Sequence, residues 1–232
     1  MELIQTNEQI NSVDVEIISS TKSKSTDAPF IQANTEDCSF HEIKEHHIIP
    51  VFIKDNEPLI SHSEFIEVAT QAASIVYNGE VILKPNIRVS HPIKGRIPEA
   101  KHKAANELQE HEKTLYFERM AFIIEVPSIS EIIDGNELSL TIGGIKAFNT
   151  DNLYSRKGQG EHFKIIVGFK NTVCTNLKIW TDGYTSDLKV ASLEQLQSSI
   201  VSLLAKHDAK AQINAMKDLN NYELTEQHLP TR

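Results

Sequence analysis

Cysteine is almost missing from this 232-residue chain: Cys38 and Cys174 are the only two. Two cysteines build no disulfide framework, so the chain reads as one of a reducing compartment, with the cytoplasm as the expected location. Nine Gly and eight Pro are too few for a collagen-like or low-complexity polymer. No apolar run approaches the roughly 18–20 residues that cross a bilayer, so no membrane partner is expected. The first twenty residues carry Glu2, Glu8, Asp14 and Glu16 where a secretory leader has a basic start and an apolar core. No Gly-x-Ser-x-Gly elbow and no Walker-type glycine spacing occur, which removes the commonest hydrolase and nucleotide-binding signatures. What is present is ordinary for a globular domain, 40% hydrophobic and 24% charged residues.

The net charge of −9 is unevenly placed. Residues 1–70 hold 4 Lys against 13 Asp and Glu, and therefore account for all of it, leaving 19 residues of each sign in 71–232. Within that neutral remainder, Val81 to Ala105 carries Lys84, Arg88, Lys94, Arg96, Lys101 and Lys103 against Glu99 alone. An anionic ligand responds to such a patch, since fields act over a Debye length of roughly 8–10 Å.

Residues 1–28 read as a flexible acidic arm, because the Ser- and Lys-rich tract from Ser19 to Thr26 buries too little to offset the entropy of ordering it. Residues 29–225 read as a single α+β domain and 226–232 as a tail. Val13, Val15 and Ile17 alternate as in an edge strand. A short helix is expected from Glu36 to His47 and a strand over Ile48 to Phe52. Ser61 and Glu64 form a capping box opening a helix to Tyr77, closed by Asn78-Gly79. Period-two patterning then predicts strands at Val81–Leu83, Ile87–Val89, Leu115–Val126 and Leu138 into Gly143-Gly144, with Asp134-Gly135-Asn136 as a turn. Further strands follow at His162–Gly168, Val173–Trp180 and Leu188–Ala191. The continuous centre of the long strand, Met120 to Ile124, is expected of a strand covered on both faces. A second capping box at Ser192 opens a helix through Leu196 and Leu204, and another runs through Ile213, Met216 and Leu219. The sum is a mixed or antiparallel sheet of five or six strands with helices at both ends of the chain.

Several residues invite chemistry. His41, His46 and His47, with His62 behind them, suggest a metal, but five- and six-residue spacings put the imidazoles well around a helix from one another, so no metal is expected. Cys174 beside His162 has the parts of a thiol nucleophile, yet a cysteine in an alternating strand reads as a small core residue. Gly143-Gly144-Ile145-Lys146 and Arg156-Lys157-Gly158-Gln159-Gly160 could cradle phosphate, and both read more readily as structural turns. A phosphate-handling enzyme using His162 with Asp151 or Glu161 has the least support, since no acid–base pair stands at a diagnostic spacing. No catalytic residue and no cofactor is assigned.

The segment from Ser90 to Lys103 is the best-charged. Pro92 and Pro98 keep it from forming a helix, and it reads as a stiff basic loop bending at Gly95 with Lys94 and Arg96 at its tip. Arg offers a planar fork to phosphate and Lys a point charge. No aromatic residue lies in 81–115, which excludes a base-stacking platform there but not contact with a nucleic-acid backbone.

Four segments resemble an uncharacterised bacterial family, a domain of unknown function carried on conjugative and other mobile elements. They are His47 to Glu57, Ser90 to Ala100, Glu112 to Phe122, and Gly168 to Leu177. The Val173-Cys174-Thr175-Asn176-Leu177 core is also similar to phage and plasmid proteins of undetermined role. The resemblance spans about Phe30 to Thr225 and brings no catalytic residues with it. It implies a chain that continues past Tyr222 to Thr225, so the tail to Arg232 reads as cut short.

The expectation is therefore a non-enzymatic accessory protein of a mobile genetic element that binds DNA or RNA, or a nucleoprotein complex. Lys94, Arg96, Lys101 and Lys103 would contact phosphate, extended by Arg88, Arg119, Arg156 and Lys157. The acidic arm would compete intramolecularly for that surface. The alternative is an interaction or inhibitor module whose basic protein partner docks on residues 1–70.

Overall fold

The computed structural model describes residues 30–31, 34–46, 59–100, 102–150, 160–171, 179–180 and 185–219. In chain order these give β1 (Glu36–Asp37), α1 (Phe40–His46), α2 (His62–Val76), β2 (Asn86–Val89), β3 (Pro92–Arg96), β4 (Lys113–Phe117), β5 (Arg119–Ile133), β6 (Asn136–Ala147), β7 (Glu161–Asn171), β8 (Ile179–Trp180), β9 (Thr185–Val190), α3 (Leu193–Lys206) and α4 (Ala209–Leu219). The fold is α+β. The main sheet runs β1-β2-β5-β6-β7, and β8 and β9 share the outer edge of β7. Every pairing is antiparallel, which settles the choice between a mixed and an antiparallel sheet.

The long central hairpin is fixed by its turn. Ile133 pairs with Asn136, and the two residues between them, Asp134 (φ 51°) and Gly135 (φ 74°), both take positive φ, the demand of a two-residue turn that matches strand twist. Above it, the β5–β6 register shifts between Val126 and Ser130, where Pro127 has no N–H to give the ladder.

One sheet face is covered by helices. Ser61 caps α2 reciprocally with Glu64, as the local sequence predicts, and the helix buries Phe65, Val68, Ala69 and Ala72. Phe65 lies edge-on to Phe122 and Phe163 at 5.1 and 4.8 Å between centroids. α3 adds Leu196, Ile200 and Leu204 to the same core, and α4 adds Met216. The opposite face is capped locally by Phe30 and Ile31 over Ala121, Ile123 and Ile145, which is why the centre of β5 is apolar on both sides.

Four expected elements are corrected. The helix expected from Glu36 begins at Phe40, because Glu36 and Asp37 pair with β2. The strand predicted over 115–126 is divided at Glu118: the Ser90 N–H donates to the Arg119 carbonyl at 2.9 Å, and the Arg119 N–H goes to the Ser90 hydroxyl at 3.2 Å. Val81–Leu83 is extended but forms no ladder, with Leu83 donating to the Glu125 carbonyl at 2.9 Å. Gly143 and Gly144 lie inside β6, which runs on to Ala147. The Ile48–Phe52 strand, Cys174, most of the Val173–Trp180 strand and the 1–28 arm lie outside the described residues.

Candidate nucleic-acid interface

The basic segment is a strand, not a loop. β3 and β4 pair antiparallel from Pro92↔Phe117 to Arg96↔Lys113, forming a two-stranded ribbon that continues the β2–β5 ladder past the Ser90–Arg119 junction. Proline is tolerated here because Pro92 opens β3 and Pro98 opens a 3-10 turn, where neither owes the ladder a donor. Gly95 makes no bend. A Cβ at that position would lie 2.7 Å from the Thr114 hydroxyl, so glycine serves close strand packing.

The two ribbon faces differ. Inward, Ile93 and Tyr116 pack with Leu59 and Phe148, and burial followed by the charge of Glu118 pushes the Tyr116 hydroxyl above its ordinary range. Outward, alternation places Lys94, Arg96, Lys113 and Leu115 on one surface. Arg96 and Lys113 are directly opposed like charges, an arrangement that costs a sheet energy. The excursion between the strands returns neutralising groups. Arg96 donates to the Lys103 carbonyl, Lys103 pairs with Glu112, and Lys113 pairs with Glu110. The Lys113 hydrogen bond, then its charge and that of Lys94, hold the Glu110 carboxyl below its usual range. Glu112 is held low first by Lys103 and next by the Gln109 amide.

Of the expected contacts, Lys94 and Arg96 come together and Lys103 stands behind them, engaged by Glu112. Arg88 points elsewhere: its side chain is 8% exposed and bonds Asp37 at 2.6 Å and both oxygens of Thr35, tying β1 to β2. Arg119 is exposed on the sheet face that carries Ala121. Lys101, Arg156 and Lys157 are outside the described residues. Lys113 was missed by the sequence reading, although its alternation with Leu115 within a period-two run carries the signal.

The other candidates resolve into packing. Gly144 faces α2, where a Cβ would meet the Phe122 ring at 2.3 Å and Phe65 at 3.0 Å. Lys146 and Glu161, their side chains 0% and 3% exposed, form a 2.6 Å ion pair. Glu161 also accepts the Ile60 N–H at 2.9 Å, and the Lys146 ammonium sits 3.9 Å from the Phe163 ring centroid. His162 occupies the opposite face of β7 from Glu161 by alternation. His62 is buried on the Phe117 carbonyl at 2.8 Å, away from exposed His41. Among the described residues no helix is long and apolar enough to cross a membrane.

A family model described as "Domain of unknown function, B. Theta Gene description" matches residues 11–231. No curated protein and no solved structure matches the chain.

Proposed function

This chain belongs to the DUF3871 family of unknown function, and we propose that it is a non-enzymatic nucleic-acid-binding accessory of a mobile genetic element, acting in the cytoplasm. The outer face of the β3–β4 ribbon is the contact surface. The observation that carries this reading is the gathering of Lys94, Arg96 and Lys113 on one exposed face, with two of the three directly opposed. A phosphate backbone relieves that repulsion and releases its own counterions. The resemblance of Ser90 to Ala100 and Glu112 to Phe122, the two halves of this ribbon, supports the mobile-element setting.

The acidic segment before Phe30 is the proposed competitor. Its described continuation already runs beside the ribbon base, where Glu36 meets His91 at 3.2 Å and Asp37 meets Arg88. With those two acids spent inside the chain, the docking of a basic protein on residues 1–70 becomes the second reading.

Fluorescence anisotropy with labelled duplex and single strands across a salt series tests this. Three phosphate contacts give a slope of log K against log salt of about −2.7 on duplex DNA, at roughly −0.9 per contact. Reversing Lys94, Arg96 and Lys113 to Glu abolishes binding, and deleting residues 1–28, which spares Phe30 and Thr35, tightens it. No binding at low salt, or unchanged affinity in the reversed variant, refutes the reading. A salt-sensitive complex with a basic protein would then take its place.

A further inference from the structure

Among the described residues, a stretch of sheet edge beside β5 lies uncovered. Along β2 the edge is closed by β1, and the Cys38 N–H donates to the Ile87 carbonyl at 3.2 Å. Before β2 the chain from Glu80 to Lys84 runs extended beside β5. Val81 donates to the Ser128 hydroxyl at 3.2 Å and Leu83 to the Glu125 carbonyl at 2.9 Å. Alternation turns the Ile82 and Lys84 amides the other way, and among the described residues neither N–H has a hydrogen-bond partner. The same stretch holds two exposed large hydrophobics, Val81 (58%) and Leu83 (44%), and a third, Ile75 (57%), stands near the end of α2 just before it. On the helix side the edge opens into a groove of about 980 Å³, with Phe40, Ile66, Ile75 and Pro85 in its lining.

An open edge with unpaired amides and apolar flanks is a template for another strand. The residues here say which one. Read from either end, Glu80-Val81-Ile82-Leu83-Lys84 presents an acid opposite a base, two apolar side chains opposite each other, and isoleucine at the centre.

We propose that the Glu80–Lys84 edge pairs antiparallel with the same edge of a second copy of this chain, about a two-fold axis at Ile82. The register is the one the backbone already offers. Ile82 meets Ile82 as a hydrogen-bonded pair, the Lys84 N–H reaches the partner copy's residue 80 carbonyl, and Val81 lies against the other copy's residue 83 in the intervening pair. Each Glu80 carboxylate faces a Lys84 ammonium, twice per dimer, as a two-fold interface requires. Pro85, lacking an N–H, ends the pairing. The two sheets become one.

Sedimentation equilibrium over a concentration series tests the proposal, with no nucleic acid present. Four forms are compared: wild type, Glu80→Lys, Lys84→Glu and the double swap. Wild type gives a species of twice 26.1 kDa. Either single reversal turns two attractive cross-strand pairs into repulsive ones and raises the dimer Kd about tenfold or more. The double swap restores it to within about threefold of wild type. Both exchanged positions are exposed, so circular dichroism should be unchanged throughout. A wild type that stays monomeric at about 0.5 mM, single reversals without effect, or a double swap as weak as the singles would each overturn it.

Discussion

Removing one partner of the buried Lys146–Glu161 pair should cost more than removing both. The pair is buried, at 2.6 Å with side chains 0% and 3% exposed. In Lys146→Met the Glu161 carboxylate keeps only the Ile60 N–H. In Glu161→Met the ammonium keeps the faces of Phe163 and Phe148, 3.9 and 5.0 Å from their centroids, and the Ile60 amide loses its acceptor. Breaking a buried pair from one side costs about 3–5 kcal/mol. The double replacement leaves no buried charge and one unsatisfied amide, about 1–3 kcal/mol. At roughly 2–4 °C per kcal/mol for a chain of this size, each single variant should melt about 6–20 °C below wild type, with the double variant above both. Thermal and urea unfolding followed by circular dichroism and by the single tryptophan would read the cycle. A double variant whose loss equals the sum of the two singles would refute the claim that the two side chains act as one unit.

Gly144→Ala places a methyl 2.3 Å from the Phe122 ring, itself edge-on to Phe65. Overpacking of this kind costs about 1–3 kcal/mol, visible as a lower urea midpoint; wild-type stability would show that the α2–sheet interface has slack. Burial, then Glu42, pushes the Cys38 thiol up to about 12. In a Cys174→Ser background a thiol reagent should therefore label Cys38 negligibly at pH 8 until the protein is unfolded. Its rate should rise with pH only towards that value, and prompt labelling of the native protein would contradict its burial.

What was legible in the sequence was what neighbours in sequence decide. The Ser61–Glu64 capping box and the Asp134-Gly135 turn are local bargains among three or four residues, and both formed. The α4 pattern of Ile213 and Met216 likewise needs only a helix period. The ribbon was not legible as such, because β3 owes its strand geometry to β4, some twenty residues on, while its two prolines argue locally for a loop. Lys113 was missed for the same reason, as it joins Lys94 and Arg96 only across the ladder. The charge window ending at Ala105 also omitted Glu110 and Glu112, which the fold returns to the ribbon. Gly144 gave no hint of its role, since the rings that forbid a side chain there come from α2 and β5. Arg88 read as free charge because its partners Thr35 and Asp37 lie more than fifty residues back.

The sheet order has a consequence for how the chain is made. β5, β6 and β7 are consecutive and adjacent, so they can zip together as soon as they exist. The helix α2 and strand β2 are translated first, yet both rest on β5 and its neighbours. At about 5–20 residues per second, the first third of the chain leaves the ribosome several seconds ahead of the surface it must cover. It waits carrying the whole net charge of −9, and like-charged chains repel one another. Such repulsion would hold nascent copies apart until the strands that cover the early segment have been made.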